Sequence, residues 1–297
     1  MRVLHLDAGK EMRGGQWQVL RLMEGLAAAG VESTLLARRD GVLLETARRR
    51  GLRATALTWL HLVLLARRHN VVHAHDARSH AMAAMVGAKP LVVARRVAFP
   101  LKRGIASRWK YRRAAAYLAV SEFVKQVLVD GGVDADRVAV VYDGVPLLPP
   151  ANGTHIVAPA GHGDPLKGSD LAFEAAKLSG FPLHPSGNLE EDLQTAGIFV
   201  YITYSEGLGS AALLAMSAAV AVVASNVGGL KEVIGHRVNG LLVENTPAAI
   251  GHAVRELIDH PELARRLGQA ARERVRQRFT VERMVGDTMD VYQQVLS

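Results

Sequence analysis

The sequence contains no cysteine, few aromatic residues and no apolar run long enough to cross a bilayer. Without cysteine, disulfides, thiolate metal ligands and cysteine nucleophiles are excluded, and a reducing compartment is favoured. Aromatic residues make up 5% of the 297 residues, so alanine, valine and leucine must build the cores. The apolar run around Leu65 falls short of the roughly 20 residues of a membrane span. With no charged leader ahead of its first strand, the sequence predicts a soluble, cytoplasmic protein.

Acidic residues are scarce in the first half of the chain. Residues 1–150 carry 24 Lys and Arg against 12 Asp and Glu, whereas residues 151–297 carry 12 against 16. This asymmetry indicates that the first half meets an anionic membrane surface, a nucleic acid or a charged acceptor. An arginine-rich surface without a partner explains it equally well.

Two series of short strands and amphipathic helices predict an α/β protein with two parallel, doubly wound sheets. The proline-rich segment 146–153 separates the series and is the expected linker. We therefore expect a first domain over residues 1–148, a second over 149–280, and a last helix over 281–297. The predicted strands are residues 3–7, 32–37, 71–75, 90–94, 117–120 and 138–142, then 155–159, 198–202, 221–224 and 241–243.

Three loops between a strand and a helix carry candidate ligand-binding residues, because ligands of parallel sheets bind beyond the carboxyl ends of the strands. The first contains Gly14 and Gly15, where a backbone can approach a ligand closely, although a plain turn explains it too. In the second, Lys167 precedes a helix and is either a diphosphate ligand or a solvated lysine. In the third, Glu206 lies ahead of a glycine-flanked helix, where it either accepts hydrogen bonds from sugar hydroxyls or complements the helix dipole.

Residues 95–113 form a basic stretch with no acidic residue and with interspersed aromatic rings. Such a mixture is typical of a surface that docks on an anionic membrane or on an anionic acceptor. The alternative is a solvated helix whose arginines pack over the domain. The basic residues are Arg95, Arg96, Lys102, Arg103, Arg108, Lys110, Arg112 and Arg113.

Taken together, these segments resemble the retaining glycosyltransferases of family 4, whose architecture is GT-B. The resemblance rests mainly on residues 204–209, 215–216, 222–234 and 239–243, with further matches at 120–124, 140–145, 161, 167–168 and 272–279. It implies two facing Rossmann-like domains around a cleft, with the donor held by the second domain and the acceptor by the first. The implied reaction moves a sugar from a nucleotide-sugar to a cell-envelope glycan or lipid-linked acceptor, with retention and without metal or other cofactor.

The resemblance also implies roles for individual residues. Lys167 is expected to bind the donor phosphates and Glu206 the transferred sugar. The expected catalytic residues also include His75 and Arg95, since a histidine that often ends a strand in the family has no counterpart in the segment containing Arg95 and Arg96. Expected donor-binding residues are Gly15, Gly161, His162, Lys167, Glu206, Gly207, Leu208 and Gly209. Expected acceptor or membrane residues are Arg96, Lys102, Arg103, Arg108, Lys110, Arg112 and Arg113.

Some features depart from the family pattern. Leu214 stands where a ribose-binding glutamate is common, and His162 where an arginine commonly assists the phosphate lysine. The segment 168–206 is one strand–helix unit short, so we expect a shortened second domain. These departures favour an alternative, a catalytically degenerate GT-B-like binding or scaffold protein. A nucleic-acid-binding protein is a distant alternative, because the positive charge comes without a recognised nucleic-acid motif. Peripheral attachment to the inner face of the membrane is the further expectation for location.

Overall fold

The computed structural model describes residues 1–102, 104–160 and 166–297, so the expected site residues Arg103, Gly161 and His162 lie outside the described residues. The described strands are β1 (Arg2–Asp7), β2 (Glu32–Ala37), β3 (Ala54–Ala56), β4 (Val71–Ala74), β5 (Leu91–Arg95), β6 (Ala116–Ala119), β7 (Val138–Val140), β8 (His155–Pro159), β9 (His184–Ser186), β10 (Ala196–Tyr201), β11 (Ala221–Ser225) and β12 (Leu241–Val243). The described helices are α1 (Gly14–Ala28), α2 (Val42–Arg49), α3 (Trp59–Ala66), α4 (Ala77–Met85), α5 (Ile105–Arg112), α6 (Glu122–Asp130), α7 (Ser169–Ser179), α8 (Leu189–Asp192), α9 (Ser210–Ser217), α10 (Leu230–Val233), α11 (Pro247–Asp259), α12 (Pro261–Arg278) and α13 (Val281–Leu296).

The chain divides into two compact units. Unit 1 comprises residues 1–144 and 281–297, and unit 2 comprises residues 145–280. Each unit contains one parallel sheet with helical connections, so the expected class of two Rossmann-like α/β domains is confirmed. The last helix, α13, packs against α1 and therefore belongs to unit 1 although it follows unit 2 in the sequence.

The seven-stranded sheet of unit 1 has the order β3-β2-β1-β4-β5-β6-β7. Successive side chains of a strand point to opposite sides, so each strand serves two faces of the sheet. One face, called the α1 face, packs Val3 and Val71 against Leu22 of α1 and Met284 of α13. The other, called the α4 face, carries Tyr117, whose ring contacts that of His80 in α4. A polar residue at the end of a strand therefore points to the α1 face or the α4 face according to its place in the alternation.

The five-stranded sheet of unit 2 has the order β12-β11-β10-β8-β9. A complete Rossmann sheet has the order 3-2-1-4-5-6, with its first strand in the centre. With β8 as that first strand, β9 takes the second position and the third position is empty among the described residues. This empty position corresponds to the strand–helix unit that the sequence predicts to be absent.

Two strands, β3 and β9, were missing from the sequence prediction. Both are edge strands of three residues, too short to show a hydrophobic pattern. Pro185 lies in β9, where the missing N–H is tolerated because an edge strand has one unpaired side. Helix α11 begins after Thr246, whose side chain accepts a hydrogen bond from the Ala249 amide and caps the helix.

Candidate functional site

In unit 2, Lys167 and Glu206 form an ion pair beyond the carboxyl ends of β8 and β10. Lys167 precedes α7, and its Nζ lies 2.9 Å from Oε2 of Glu206. The Lys167 side chain keeps 40% of its surface exposed and that of Glu206 keeps 16%. The pair is thus reachable from solvent but partly desolvated, which strengthens its electrostatic interaction with an arriving ligand. The structure therefore brings together two residues that the sequence placed in separate loops.

Tyr201, at the end of β10, connects the members of this pair and was missed in the sequence. Its hydroxyl donates to Oε2 of Glu206 at 2.5 Å and accepts from Nζ of Lys167 at 3.2 Å. Burial, with the neighbouring Glu206 carboxylate, raises the pKa of Tyr201 well above 10, so the hydroxyl stays protonated as a donor. A buried tyrosine hydroxyl requires a partner. A tyrosine at the end of a predicted buried strand is therefore a sequence signal for a polar contact at that strand end.

The segment after Glu206 turns backbone amides toward its carboxylate. The Gly207 amide donates to Oε1 of Glu206 at 3.1 Å. Gly209 has φ +104°, a conformation that favours glycine, and it precedes α9. Leu208 is buried, so its side chain belongs to the core. Behind the loop, the Gly229 amide donates to the Glu206 carbonyl, and a Cβ on Gly229 would lie 1.9 Å from the Gly207 oxygen.

In unit 1, Arg96 and Arg95 point to opposite faces of the sheet. Nε of Arg96 lies 3.0 Å from Oδ1 of Asp143, and an Arg96 amino group lies 3.4 Å from Nδ1 of His75. Arg95 instead donates to the Phe99 carbonyl on the α4 face. Of the two arginines that the resemblance offered in place of the family histidine, Arg96 adjoins His75 and Arg95 lies on the other face, because neighbouring residues of an extended chain alternate between faces.

Three buried histidines, His5, His73 and His75, lie together on the α1 face. Arginine only donates, so Nδ1 of His75 accepts from Arg96, and Nε2 of His75 then donates to Nδ1 of His5 at 3.0 Å. Nδ1 of His73 lies 2.6 Å from the Tyr292 hydroxyl of α13. Burial, together with the nearby Arg96 charge, lowers the pKa of His5 to about 3 and the pKa values of His73 and His75 well below 6.5. The histidines are therefore neutral at physiological pH.

The same histidines are the metal-ligand cluster found among the described residues. One nitrogen from each of the three lies within 4.8 Å of the others, and Nε2 atoms of His5 and His73 have no hydrogen-bond partner. The Arg96 guanidinium beside His75 opposes a cation at this position. The hydrogen-bonded chain described above already uses Nδ1 and Nε2 of His75. This cluster fits a neutral relay that holds Arg96 better than it fits a metal centre.

Gly15 lies beside Arg96 at the start of α1. A Cβ on Gly15 would meet Cδ of Arg96 at 3.9 Å, so the glycine backbone and the arginine adjoin. The loop ahead of α1 is held by Asp7, a residue that sequence reasoning missed. Asp7 accepts from the Gly9 amide at 2.8 Å and from the Gln16 side chain at 3.1 Å. Burial, with the nearby Asp76 carboxylate, raises the pKa of Asp7.

The basic stretch is divided between exposed and partly buried residues. Arg108, Arg112 and Arg113 are exposed, as is Lys102. Lys110 is partly buried, and burial with the nearby Arg95 charge lowers its pKa. No described helix is both long and apolar enough to cross a membrane.

The two parallel sheets, each with charged residues beyond its strand ends, define a two-domain α/β protein of the Rossmann-like class. Residues 12–147 match the family described as Glycosyltransferase Family 4, and residues 160–274 match Glycosyl transferases group 1. The chain belongs to the family 4, group 1 glycosyltransferases.

Curated relatives match over part of their length. The chain is 37% identical over 118 residues to alpha-maltose-1-phosphate synthase of Mycolicibacterium smegmatis, covering 37% of this chain and 30% of that protein. It is 36% identical over 110 residues to D-inositol 3-phosphate glycosyltransferase of Streptomyces griseus, covering 37% and 23%. The matched region thus spans less than a third of the length of these relatives.

Solved structures match over the whole chain. Anabaena HepE in complex with UDP and glucose has a TM-score of 0.87 at 15% identity and covers 99% of this chain and 100% of its own. A glycosyltransferase from Rickettsia africae has a TM-score of 0.83 at 17% identity and covers 100% and 98%. At these identities the likeness establishes the fold, which is GT-B.

Proposed function

We propose that the protein transfers a glycosyl group from a nucleotide-sugar to an acceptor hydroxyl, with retention of the anomeric configuration and without a metal ion. The bond between the anomeric carbon and the leaving phosphate oxygen breaks, and a bond from that carbon to the acceptor oxygen forms. The nucleoside diphosphate departs with the bonding electron pair, and the acceptor hydroxyl proton passes to a phosphate oxygen.

The observation that carries this proposal is the ion pair of Lys167 and Glu206 on the Tyr201 hydroxyl. An ammonium group suits the diphosphate, and a carboxylate suits the hydroxyl groups of a sugar. Both occur in one partly exposed cluster of unit 2, a short distance from the Gly207 amide. Tyr201 keeps the carboxylate oriented when Lys167 turns from Glu206 to an arriving phosphate.

Metal-independent transfer is supported by the position of Lys167 before α7. Its charge, with amides at the helix start, can balance the negative charge that develops on the leaving group. In unit 1, considered by itself, Arg96 beside Gly15 is a fixed positive charge. Asp143 and His75 hold that guanidinium in place.

The proposed acceptor is an anionic glycan or lipid-linked sugar of the cell envelope, bound by unit 1, with the enzyme attached peripherally to the membrane. The exposed Arg108, Arg112 and Arg113 support an anionic acceptor or surface. The Arg113 guanidinium lies 4.9 Å from the Trp109 ring centre, a pairing suited to headgroup depth.

A second candidate, donor binding without turnover, is favoured by two observations. Leu214 is a buried apolar residue of α9, and the unit 2 sheet ends at β9. Against it, HepE, which this chain matches over 99% of its own length and 100% of the neighbour's, was solved with UDP-glucose. That coverage supports donor binding by a protein of this extent.

The test is a screen of nucleotide-sugars with the purified full chain. A donor raises the melting temperature, because a ligand that binds only the folded state stabilises it. Release of nucleoside diphosphate in the presence of acceptor supports the enzyme, and the anomeric coupling of the product by NMR tests retention. Donor binding without any release supports the second candidate. Strict dependence on a divalent cation overturns the metal-free mechanism.

A further inference from the structure

Helix α3 turns most of its apolar side chains toward solvent. Trp59, Leu60, Val63 and Leu64 are 51, 66, 37 and 47% exposed, whereas Leu62 is buried. Positions three and four apart share one side of a helix, so Leu60, Val63 and Leu64 form one stripe, with Trp59 at its beginning. Surface helices normally bury such a stripe against their own core. The described residues leave this one uncovered.

The chain segment that contains this stripe is strongly cationic. Residues 46–121 contain 16 Lys and Arg and a single acidic residue, Asp76. The Asp76 carboxylate is occupied by the amides of Ala8, Arg78 and Ser79. Arg67 and Arg68 follow Val63 and Leu64 by one helical turn and are exposed. An apolar stripe with exposed arginines at its end, in a segment with a single acidic residue, is complementary to anionic lipid.

Helices α3 and α5 cover the same face of the unit 1 sheet. His69, just after α3, contacts the Thr34 hydroxyl of β2 at 3.1 Å, and Thr34 pairs with Leu4 on the α4 face. In α5, the Lys110 carbonyl lies 3.2 Å from Nε2 of His80 of α4. Ile105 and Trp109 of α5 are thus exposed on the same side of the unit 1 sheet as the α3 stripe.

We propose that α3 is an interfacial membrane anchor, with Trp59, Leu60, Val63 and Leu64 inserted among the lipids of an anionic bilayer. Arg67 and Arg68 contact the headgroups beside it. The proposal rests on the membrane attachment included in the proposed function and assigns its apolar contact to α3. A second copy of the chain is a poor occupant, because a symmetric contact would bring this cationic surface against itself.

The experiment measures sedimentation of the full chain with vesicles of phosphatidylcholine alone or mixed with phosphatidylglycerol. The double variant Leu60→Ser, Leu64→Ser is compared with Leu178→Ser, which changes a leucine of α7 that is 70% exposed. We expect the double variant to lower partition onto the anionic vesicles about tenfold or more, since each buried methylene contributes about 0.8 kcal/mol. Leu178→Ser is expected to bind like the unchanged chain.

Charge and depth are measured separately. Arg67→Gln with Arg68→Gln is expected to weaken binding several-fold at low salt, whereas the exposed pair Arg265→Gln with Arg266→Gln of α12 is not. In a chain carrying Trp17→Phe and Trp109→Phe, Trp59 is the remaining tryptophan. Its emission is expected to shift to the blue on anionic vesicles and to be quenched by brominated lipid tails.

Normal vesicle binding by the Leu60→Ser, Leu64→Ser variant overturns the anchor. If Arg108→Gln with Arg112→Gln then abolishes binding, membrane attachment stands and α5 alone accounts for it. A dimer that the leucine substitutions convert to monomer, without vesicle binding by the unchanged chain, also overturns the anchor. Transfer to a water-soluble acceptor tests the proposed reaction independently of all these outcomes.

Discussion

Nζ of Lys167 lies 2.9 Å from Oε2 of Glu206, and the Tyr201 hydroxyl contacts both atoms. The residue expected to bind the diphosphate is therefore already paired with the residue expected to bind the sugar. In the proposed function, a bound donor replaces this internal pair with its own phosphate and hydroxyl groups. The strength of the pair thus sets part of the cost of donor binding, and each member has a distinct mutational effect.

Replacing Lys167 with alanine is expected to weaken nucleoside diphosphate binding at least about tenfold, because a hydrogen bond to a charged group contributes about 1.5–3 kcal/mol. Transfer is expected to be nearly abolished. Isothermal titration calorimetry measures the affinity, and Lys177→Ala on the exposed side of α7 is the control. Equal affinities for the Lys167 variant and the unchanged chain contradict the phosphate role.

Replacing Glu206 with alanine is expected to reduce affinity for the nucleotide-sugar more than affinity for the bare nucleoside diphosphate. The substitution removes the sugar ligand but also releases Lys167 from its pair, leaving the ammonium free to bind phosphate. Titration of both ligands gives the ratio, with Glu244→Ala as an exposed control. Equal losses for the two ligands point to a structural role.

Tyr201→Phe removes a single hydroxyl from the pair and is expected to lower the free energy of unfolding by about 1–3 kcal/mol. A loss of orientation at Glu206 is expected to show as weaker binding of the nucleotide-sugar with little change for the bare nucleoside diphosphate. Tyr204→Phe, at an exposed tyrosine, is the control. Lower stability without this ligand-dependent difference restricts Tyr201 to the fold.

Arg96→Ala is expected to destabilise the protein by about 1.5–3 kcal/mol, because it removes a charged hydrogen-bond partner of the buried Asp143 carboxylate. The double variant with Asp143→Ala is expected to lose less than the sum of the single losses, since the carboxylate is removed as well. Urea unfolding of the unchanged chain, the two single variants and the double variant gives the coupling free energy. Arg95→Ala tests the neighbour that points to the other face. An additive cycle refutes coupling between Arg96 and Asp143.

Stability is expected to fall on acidification below pH 6.5. The pKa of His5 is about 3 in the folded chain, so between pH 6.5 and 3 the unfolded chain binds a proton that the folded chain does not. For His5 alone the loss between pH 6.5 and pH 5 is about 2 kcal/mol. Urea unfolding across this range gives the slope, which His5→Leu is expected to reduce by about one proton and the exposed His252→Gln to leave unchanged. A slope unaffected by His5→Leu contradicts the assignment.

Several features of the site were predictable from local sequence. Lys167 and Glu206 each lie between a buried strand and a helix, and parallel sheets place such loops at one edge. The start of α11 follows from capping chemistry, since the Thr246 side chain accepts from the Ala249 amide. The missing strand of unit 2 was also predictable, because segment 168–206 is too short for two strand–helix units.

Other features depended on contacts between residues distant in sequence. Arg95 and Arg96 have the same chemistry, and only the alternation of β5 within the folded sheet decides which one meets His75. From the sequence, Tyr201 is predicted to be a core residue. Its contact with Lys167 forms only when the sheet brings the two residues together.

The sequence by itself determined the class of fold, the family and the loops that carry the charged residues, because buried strands, caps and glycine turns are local patterns. The tertiary structure alone decided the partners: Glu206 for Lys167, Asp143 for Arg96, and His75 for His5. It also showed that the apolar stripe of α3 faces solvent. Pairing and exposure depend on packing between distant segments, so no local pattern encodes them.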